Sequence, residues 1–366
     1  MQRECIVLWG TGIKAKEIID NYVFFKNIIH IVGVMDNNEN NWGKTWGIYT
    51  VLNPNQICEL EFDKVVISTS IYFNEIKEQL VNNFGVPSEK IENNLYFAKR
   101  KLLFKYKNSS DKEICHVINR LSHNYLQVFN YQFTKLYENM PVKMAYDEAV
   151  GLYYVIHHGK RVYMARSFDT EDKVTEYYRG ICMEQDKDSP HVYLDESFQI
   201  NEGAVVLDVG VAEGNFSLEV VDKASKVYMV EADKEWIEAL NYTFAEYKGK
   251  VTIINAFISD RTDSGTYKLD DIINEPVNFI KMDIEGSEYD ALKGTEELIK
   301  KSKNIKCALC TYHNDYDAAI LKKLAEEYGM SYMHTKGYMF FPKGINQRYI
   351  SPMLRKGILR CWKNDI

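Results

Sequence analysis

The sequence predicts an α/β protein made of two doubly wound, Rossmann-like domains in series, joined by a helical linker and a hairpin. Two observations lead there. Short apolar runs alternate with amphipathic stretches in both halves of the 366-residue chain, and each half opens with a strand that runs into a glycine turn. A length well above that of a usual single core points the same way.

In the first half CIVLW, KAKEIIDNYVFF, IVGVM, KVVIST and NEIKEQLVNNFG succeed one another between residues 4 and 97. Runs this apolar suit parallel strands covered on both faces. They predict a small domain over 1–100. From 101 the basic KRKLLFKYK changes the character of the chain, and a Ser110-x-x-Glu113 capping box starts a helix. On it Ile114, Ile118, Leu121, Tyr125 and Val128 make one apolar seam, packed inside the chain or, alternatively, against a second copy in a homodimer. GLYYVIHHGKRVYMAR (151–166) reads as a hairpin turning near His158-Gly159, which ends a linker over 101–165. Residues 170–186 read as a helix that stops before Pro190. AVVLDV, KVYMVE, VTIIN, VNFIKMD, KCALCTY and SYMHTKGYMFF then supply a second βα series, a domain over 166–345, and 346–366 remains as a solvated basic tail.

Composition narrows the function classes. Hydrophobic content of 46% and charged content of 27% are those of a globular protein, and no apolar run reaches the ~18 residues of a membrane span. MQRECIVLWGTG lacks the pattern of a secretory signal, so a cytoplasmic address is expected. Seven cysteines, odd in number and scattered, predict reduced thiols, with Cys307-x-x-Cys310 two ligands short of a zinc site. A net charge of −7 argues against nucleic acid as a partner.

The two glycine turns differ in their electrostatics. Gly10-Thr-Gly12-Ile-Lys-Ala15 matches G-x-G-x-x-A, is flanked by Lys14 and Lys16, and has Asp36 at the end of the next strand. Gly10, Gly12, Lys14 and Asp36 are therefore candidates for a sugar nucleotide or dinucleotide, unless the domain only docks. The second turn, DVGVAEGNF (208–216), surrounds its cavity with Asp208 and Glu213. Acids oppose a diphosphate and favour a cation. S-adenosylmethionine meets that requirement, with a sulfonium, an ammonium and no phosphate. Asp208 and Glu213 then face the cofactor, Gly210 allows its close approach, Gly214 lets the next helix near the strand, and Glu231, closing VYMVE, accepts the ribose hydroxyls. Ala256, just past VTIIN, is placed with the cofactor as well.

FIKMDIEGSEYDALKG (279–294) carries the second site signal. Lys281 lies within a run suited to burial and needs a partner, and Asp283 ends the strand at the crevice where open α/β sheets bind ligands. Glu285 and Glu288 suit either the first turn of a helix or the site, and no metal is required to explain them. Tyr312-His313 ends the next strand at the same edge.

These lines carry a family resemblance. VVLDVGVAEGNFSLEV, LDDI around Asp270, FIKMDIEGSEYDALKG and the YH at 312–313 make residues 166–341 resemble the FkbM family of S-adenosylmethionine-dependent methyltransferases, with a class I methyltransferase fold. The commoner loop of that family is D-V-G-A-N-x-G, where this chain has Val211, Ala212 and Glu213. The resemblance implies O-methylation of a hydroxyl on a sugar, glycan or related natural product, with the cofactor at Asp208, Gly210, Gly214 and Glu231 and the acceptor near Asp283 and His313. The first 100 residues resemble small Rossmann-like domains attached to enzymes of bacterial surface sugars, which suggests polysaccharide biosynthesis. A sugar hydroxyl is barely ionised at neutral pH, so a base is wanted: His313 first, Asp283 second. Tyr177, Tyr178, His191 and Glu288 are candidates for the acceptor side. The alternatives are an NAD(P)- or sugar-nucleotide-dependent enzyme working at the first turn, and a non-catalytic nucleotide-binding scaffold.

Overall fold

The computed structural model describes residues 3–22, 26–341 and 354–363, and its chain separates into two compact units with the boundary at Asn130/Tyr131. In the first unit β1 (Glu4–Trp9), β2 (Ile29–Met35), β3 (Thr45–Trp46), β4 (Tyr49–Leu52), β5 (Lys64–Ile67) and β6 (Ile91–Glu92) form one sheet in the order 3-4-2-1-5-6. All its pairings are parallel except β3 with β4. Alternation along β1 explains the two layers. Ile6 and Leu8 join Ile18 of α1 (Ile13–Tyr22) and Tyr96 and Phe97 of α3 (Tyr96–Tyr106), while Val7 and Trp9 join Ile76 and Leu80 of α2 (Phe73–Phe84).

The linker helix is shorter than its pattern predicts. α4 spans Lys112–Leu121, and its cap is Asp111, whose carboxylate accepts from the backbone N–H of Glu113 and Ile114, rather than Ser110. Tyr125 and Val128 lie beyond it. Val117 and Leu121 are buried, and Tyr125 meets Phe73 edge-on and donates to the Ile91 carbonyl, so the seam packs within its own unit.

The second unit begins with a three-stranded antiparallel sheet, β7 (Met144–Asp147), β8 (Leu152–His157) and β9 (Lys160–Tyr163). The β8–β9 turn is the expected one, with His158 and Gly159 both at positive φ. α5 (Glu171–Glu184) follows, and then the main sheet: β10 (Val205–Val209), α6 (Asn215–Val220), β11 (Lys226–Glu231), α7 (Lys234–Thr243), β12 (Val251–Asn255), the short pair β13 (Phe257–Ile258) and β14 (Thr266–Tyr267), α8 (Leu269–Ile272), β15 (Phe279–Met282), α9 (Glu288–Lys293), α10 (Glu296–Lys301), β16 (Ile305–Cys310), α11 (Asp317–Glu327), β17 (Ser331–His334), the short pair β18 (Met339–Phe340) and β19 (Leu354–Arg355), and β20 (Ile358–Lys363). Its strand order is 12-11-10-15-16-20-17, parallel up to β16, with β20 antiparallel to both neighbours. Counted by strand this is 3-2-1-4-5-7-6, the class I methyltransferase arrangement that the resemblance implied.

The end of the chain corrects one expectation. Residues 358–363 are not a solvated basic tail but an inner strand, and Arg360 is 2% exposed, with its guanidinium paired to Asp195 and donating to the Val192 carbonyl at 3.0 Å. Basic letters in ILRCWK concealed a buried strand because one arginine has a partner far away in sequence. Cys307 and Cys361 face each other across β16 and β20 as buried free thiols.

The ends of β10 and β15 touch at Gly210. A Cβ there would lie 1.7 Å from the Asp283 carbonyl oxygen, and the residue has φ of +78°. The glycine thus serves the approach of two strands, a role not read from sequence, and it also lines the cavity described below. Gly210→Ala is expected to lower unfolding stability by more than about 3 kcal/mol or to prevent folding; a urea melt indistinguishable from wild type refutes this.

Candidate functional site

A cavity of about 600 Å³ opens at the C-terminal ends of β10, β11 and β15, with α5 across it. Helical spacing sets which part of α5 faces it: Tyr177, Gly180, Ile181 and Glu184. Tyr178 points the other way, into a second cavity of about 530 Å³, where its hydroxyl is 2.9 Å from His157 Nδ1. It is therefore removed from the acceptor candidates.

The glycine turn is organised by a buried ion pair. Asp208 is fully buried, 3.0 Å from Lys281 Nζ, and accepts from Ser217 Oγ at 2.7 Å. Lys281 also donates to the Gly210 carbonyl. Burial works against the Lys281 charge, but Asp208 and then Asp283 hold its pKa well above the usual lysine range. Asp208 thus lies beneath the turn, outside the cavity lining, and its charge is matched by Lys281 instead of being offered to a ligand. Sequence could not separate these roles because the partner comes from a strand more than seventy residues away.

Glu213 does face the cavity. It is 5% exposed, accepts from Tyr177 Oη at 2.7 Å, and burial raises its carboxyl pKa. The Tyr177 ring stacks on Trp236, with centroids 5.7 Å apart, giving the cavity a flat aromatic wall. Gly214, with φ of +85°, makes room for Leu240 of α7 and for Phe244 just past its end. Glu231 is fixed by three backbone donors: Ala212 N–H at 2.9 Å to Oε2, and Ala232 and Asp233 N–H, both at 2.8 Å, to Oε1. Its carboxylate and Ala256 both line the cavity. Ala212 is at φ of +48°, a conformation that asparagine tolerates better than alanine.

Asp283 is the hub of the far wall. It accepts from Tyr193 Oη at 2.7 Å and from Tyr312 Oη at 3.3 and 3.4 Å, and it lies 3.5 Å from His313 Nε2. Burial acts to raise its pKa, but Lys281 and then the two nearby imidazoles hold it at about 2. His191 is buried behind this wall, and burial lowers its pKa to about 4, so it is neutral. Its tautomer follows from the hydrogen bonds. The Tyr193 backbone N–H donates to Gln185 Oε1, which turns the Gln185 amide nitrogen toward His191 Nδ1 at 3.2 Å. Nδ1 must accept, so Nε2 carries the proton and donates to Tyr312 Oη at 2.9 Å. Gln185, His191, Tyr312 and Asp283 form one directed chain.

His313 is buried next to this wall, with Nδ1 2.9 Å from Glu288 Oε1 and Nε2 3.6 Å from Glu285 Oε2. Burial opposes the charge, but Glu288, Asp283 and Glu285 raise its pKa overall. An imidazole set among three carboxylates and outside the cavity lining is poorly placed to act as a base. Neither His313 nor the fully buried Glu288, which also accepts from Ile284 N–H, lines the cavity, and His191 is likewise outside it. Asp283, Glu288 and His313 bring one ligand atom each within 4.8 Å of one another, but these donors are already joined to each other. Asp270, in the LDDI run, accepts from the backbone N–H of Glu297 and Leu298 at the start of α10, a structural duty.

Sequence reading missed Glu184, Gln185, Tyr193 and Trp236 and left Tyr312 without a role. One signal was available for Glu184, which is seven residues beyond Tyr177 and so on the same helix face.

In the first unit the predicted set also becomes local. The Asp36 carboxylate accepts from Thr11 N–H at 2.9 Å, from the Thr11 hydroxyl and from Asn38 N–H at 2.9 Å, and so closes the turn. Gly10 has φ of +101° and makes room for Ser68, whereas Gly12 and Lys14 are exposed.

Seven carboxylates and one already paired lysine line the main cavity, beside an aromatic wall. That donor set suits a cationic adenosine derivative and opposes a diphosphate. Together with the 3-2-1-4-5-7-6 sheet it defines an S-adenosylmethionine-dependent methyltransferase. Residues 209–332 match the family model described as the methyltransferase FkbM domain, and the chain carries that domain. Residues 1–92 match a model described as C2185-like, N-terminal. No curated protein matches the chain. Among solved structures it is similar to a methyltransferase FkbM from Methylobacillus flagellatus KT, at 16% identity over 99% of this chain and 90% of that one, with a TM-score of 0.47. It is also similar to a methyltransferase from Pyrococcus furiosus (15%, 46% and 79%, TM-score 0.31) and to one from Streptococcus mutans in complex with SAH (12%, 45% and 90%, TM-score 0.31). No described helix is long and apolar enough to cross a membrane.

Lys281→Met alone is expected to cost about 3–5 kcal/mol, because it leaves Asp208 buried and unpaired, and the double variant Asp208→Asn/Lys281→Met should regain most of that loss. Denaturant melts of the four proteins measure it, and simple additivity would refute it. For His313 the raised pKa fixes the sign: its ionic contribution is full below about pH 6.5 and fades as pH climbs through the folded-state value. His313→Gln should therefore destabilise more at pH 6 than at pH 9, and a pH-independent loss in paired melts excludes the ionic role.

Proposed function

We propose that the chain is an O-methyltransferase acting on a hydroxyl of a sugar, glycan or related natural product, in the cytoplasm and in surface-polysaccharide biosynthesis. The observation that carries the donor side is Glu231, a carboxylate held rigidly at the end of β11 and facing the cavity between the glycine turn and Trp236. In this reading Glu231 receives the ribose hydroxyls, the Tyr177–Trp236 wall flanks the adenine, and Glu213 attracts the ammonium or sulfonium. Bound S-adenosylmethionine supplies an electrophilic methyl group.

The remaining work belongs to the chain. α5 covers the cavity and keeps water from the reacting oxygen, and Asp283, held by Tyr193 and Tyr312, offers a fixed acceptor for a neighbouring hydroxyl of the substrate. A pKa near 2 makes Asp283 a hydrogen-bond acceptor and an orienting group, not the group that keeps the substrate proton.

S-adenosylmethionine and S-adenosylhomocysteine are expected to raise the melting temperature, with NAD and UDP-sugars leaving this unit unchanged. Glu231→Gln should weaken both adenosyl ligands by roughly 10- to 100-fold, as loss of a charged hydrogen-bonding pair does. Titration calorimetry on wild type and variant checks this; indifference of the wild type to both ligands excludes the donor assignment.

A further inference from the structure

α5 runs along the cavity. Tyr177 meets Trp236 and Glu213 at one end, and Gln185 at the other end reaches His191 and Tyr193 beside Asp283. Glu184 lines the cavity at this second end.

The other cavity carboxylates are already engaged or open to solvent. Glu213 holds Tyr177, Glu231 holds three backbone N–H groups, Asp283 holds two tyrosines, and Asp233 caps α7 by accepting from Glu235 N–H. Glu176 is exposed, and the Glu285 side chain is 90% exposed. Glu184 is partly buried and has no hydrogen bond or ion pair with any described residue. A carboxylate in such a place, left without a partner by its own chain, is available to a substrate.

We propose that Glu184 is the catalytic base, the group that takes the proton from the acceptor hydroxyl. This rests on the O-methylation reading above and replaces His313 in the role expected from sequence. The groups facing Glu184 are Asp283 and Lys281 from β15 and its end, Glu285 just beyond, Glu213 from the glycine turn, Tyr312 from the end of β16 and Tyr177 from its own helix. Burial first, then repulsion from Asp283 and Glu213, raises its carboxyl pKa to about 8, with Lys281 opposing. Proton removal near neutral pH works best with a base poised there. In the step, the acceptor O–H proton passes to a Glu184 oxygen while the acceptor oxygen forms the new C–O bond. The C–S bond breaks and its electron pair stays on sulfur, so one positive charge at sulfur is neutralised as one carboxylate becomes neutral.

The test needs no acceptor. Calorimetry of the full chain at about pH 7.5, in buffers of different ionisation heat, counts the protons released on binding S-adenosylmethionine or S-adenosylhomocysteine. The two ligands share adenosine and ammonium and differ in the sulfonium charge. A cation beside Glu184 lowers its pKa, so the sulfonium ligand should release roughly half a proton more per site. Glu184→Gln should abolish this difference, and Glu176→Gln, at an exposed carboxylate of the same helix, should keep it. Equal release by both ligands in wild type overturns the assignment, as does a difference that persists in Glu184→Gln. If that variant binds neither ligand, the wild-type comparison decides, with Glu184→Asp in place of Glu184→Gln expected to shrink the difference. Absence of all binding by wild type strikes the donor reading itself, and this assignment with it.

Discussion

The contact between the ends of β10 and β15 determines most of what surrounds it. Lys281 reaches back from β15 to Asp208 and to the Gly210 carbonyl, and Gly210 admits the Asp283 carbonyl where any side chain would collide. One ammonium, removed from water, is stabilised only if these oxygens stay in place. The pair therefore fixes the glycine turn relative to the neighbouring strand, and its lysine also lowers the pKa of Asp283. Cavity geometry and cavity charge share a single cause.

Around that contact the far wall is built from groups with defined proton positions. A backbone N–H cannot accept, so Tyr193 orients the Gln185 amide, the amide orients His191, and His191 points Tyr312 at Asp283. None of these side chains is free to rearrange alone. The wall is thus preorganised, while the α5 side of the cavity carries the group without a protein partner. That division suits a site in which one face positions a substrate and the other exchanges a proton with it.

What sequence made legible was short in range. Strand, glycine turn and helix lie within one continuous run at 205–220, and the acid at 231 ends the next strand, so the second fold, its cofactor and the edge of the sheet bearing the site could be read directly. What it concealed was set by partners distant in the chain. Asp208 and Glu213 look alike as letters; Lys281 draws one under the turn and Tyr177 keeps the other at the surface of the cavity. Tyr177 and Tyr178 are neighbours, yet helical phase sends them to different cavities. His313 had the right residue type at the right edge of the sheet, and only the fold reveals that it packs against Glu288 outside the cavity lining. Asp36 ends the strand after the first glycine turn as read, but its contact with Thr11, twenty-five residues away, was not legible.

The place of β20 has a consequence for how the polypeptide is made. β17 is joined to the main sheet solely through β20, and β20 fills the gap beside β16. During synthesis, five parallel strands emerge and pair long before residues 358–363 leave the ribosome, and through that interval the apolar edge of β16 has nothing beside it. A nascent chain in this state exposes a template for association with other nascent chains. Closure of the edge therefore waits on β20, a strand made only after β17 and β18, and its pairing ends the interval in which β16 offers a template to other chains.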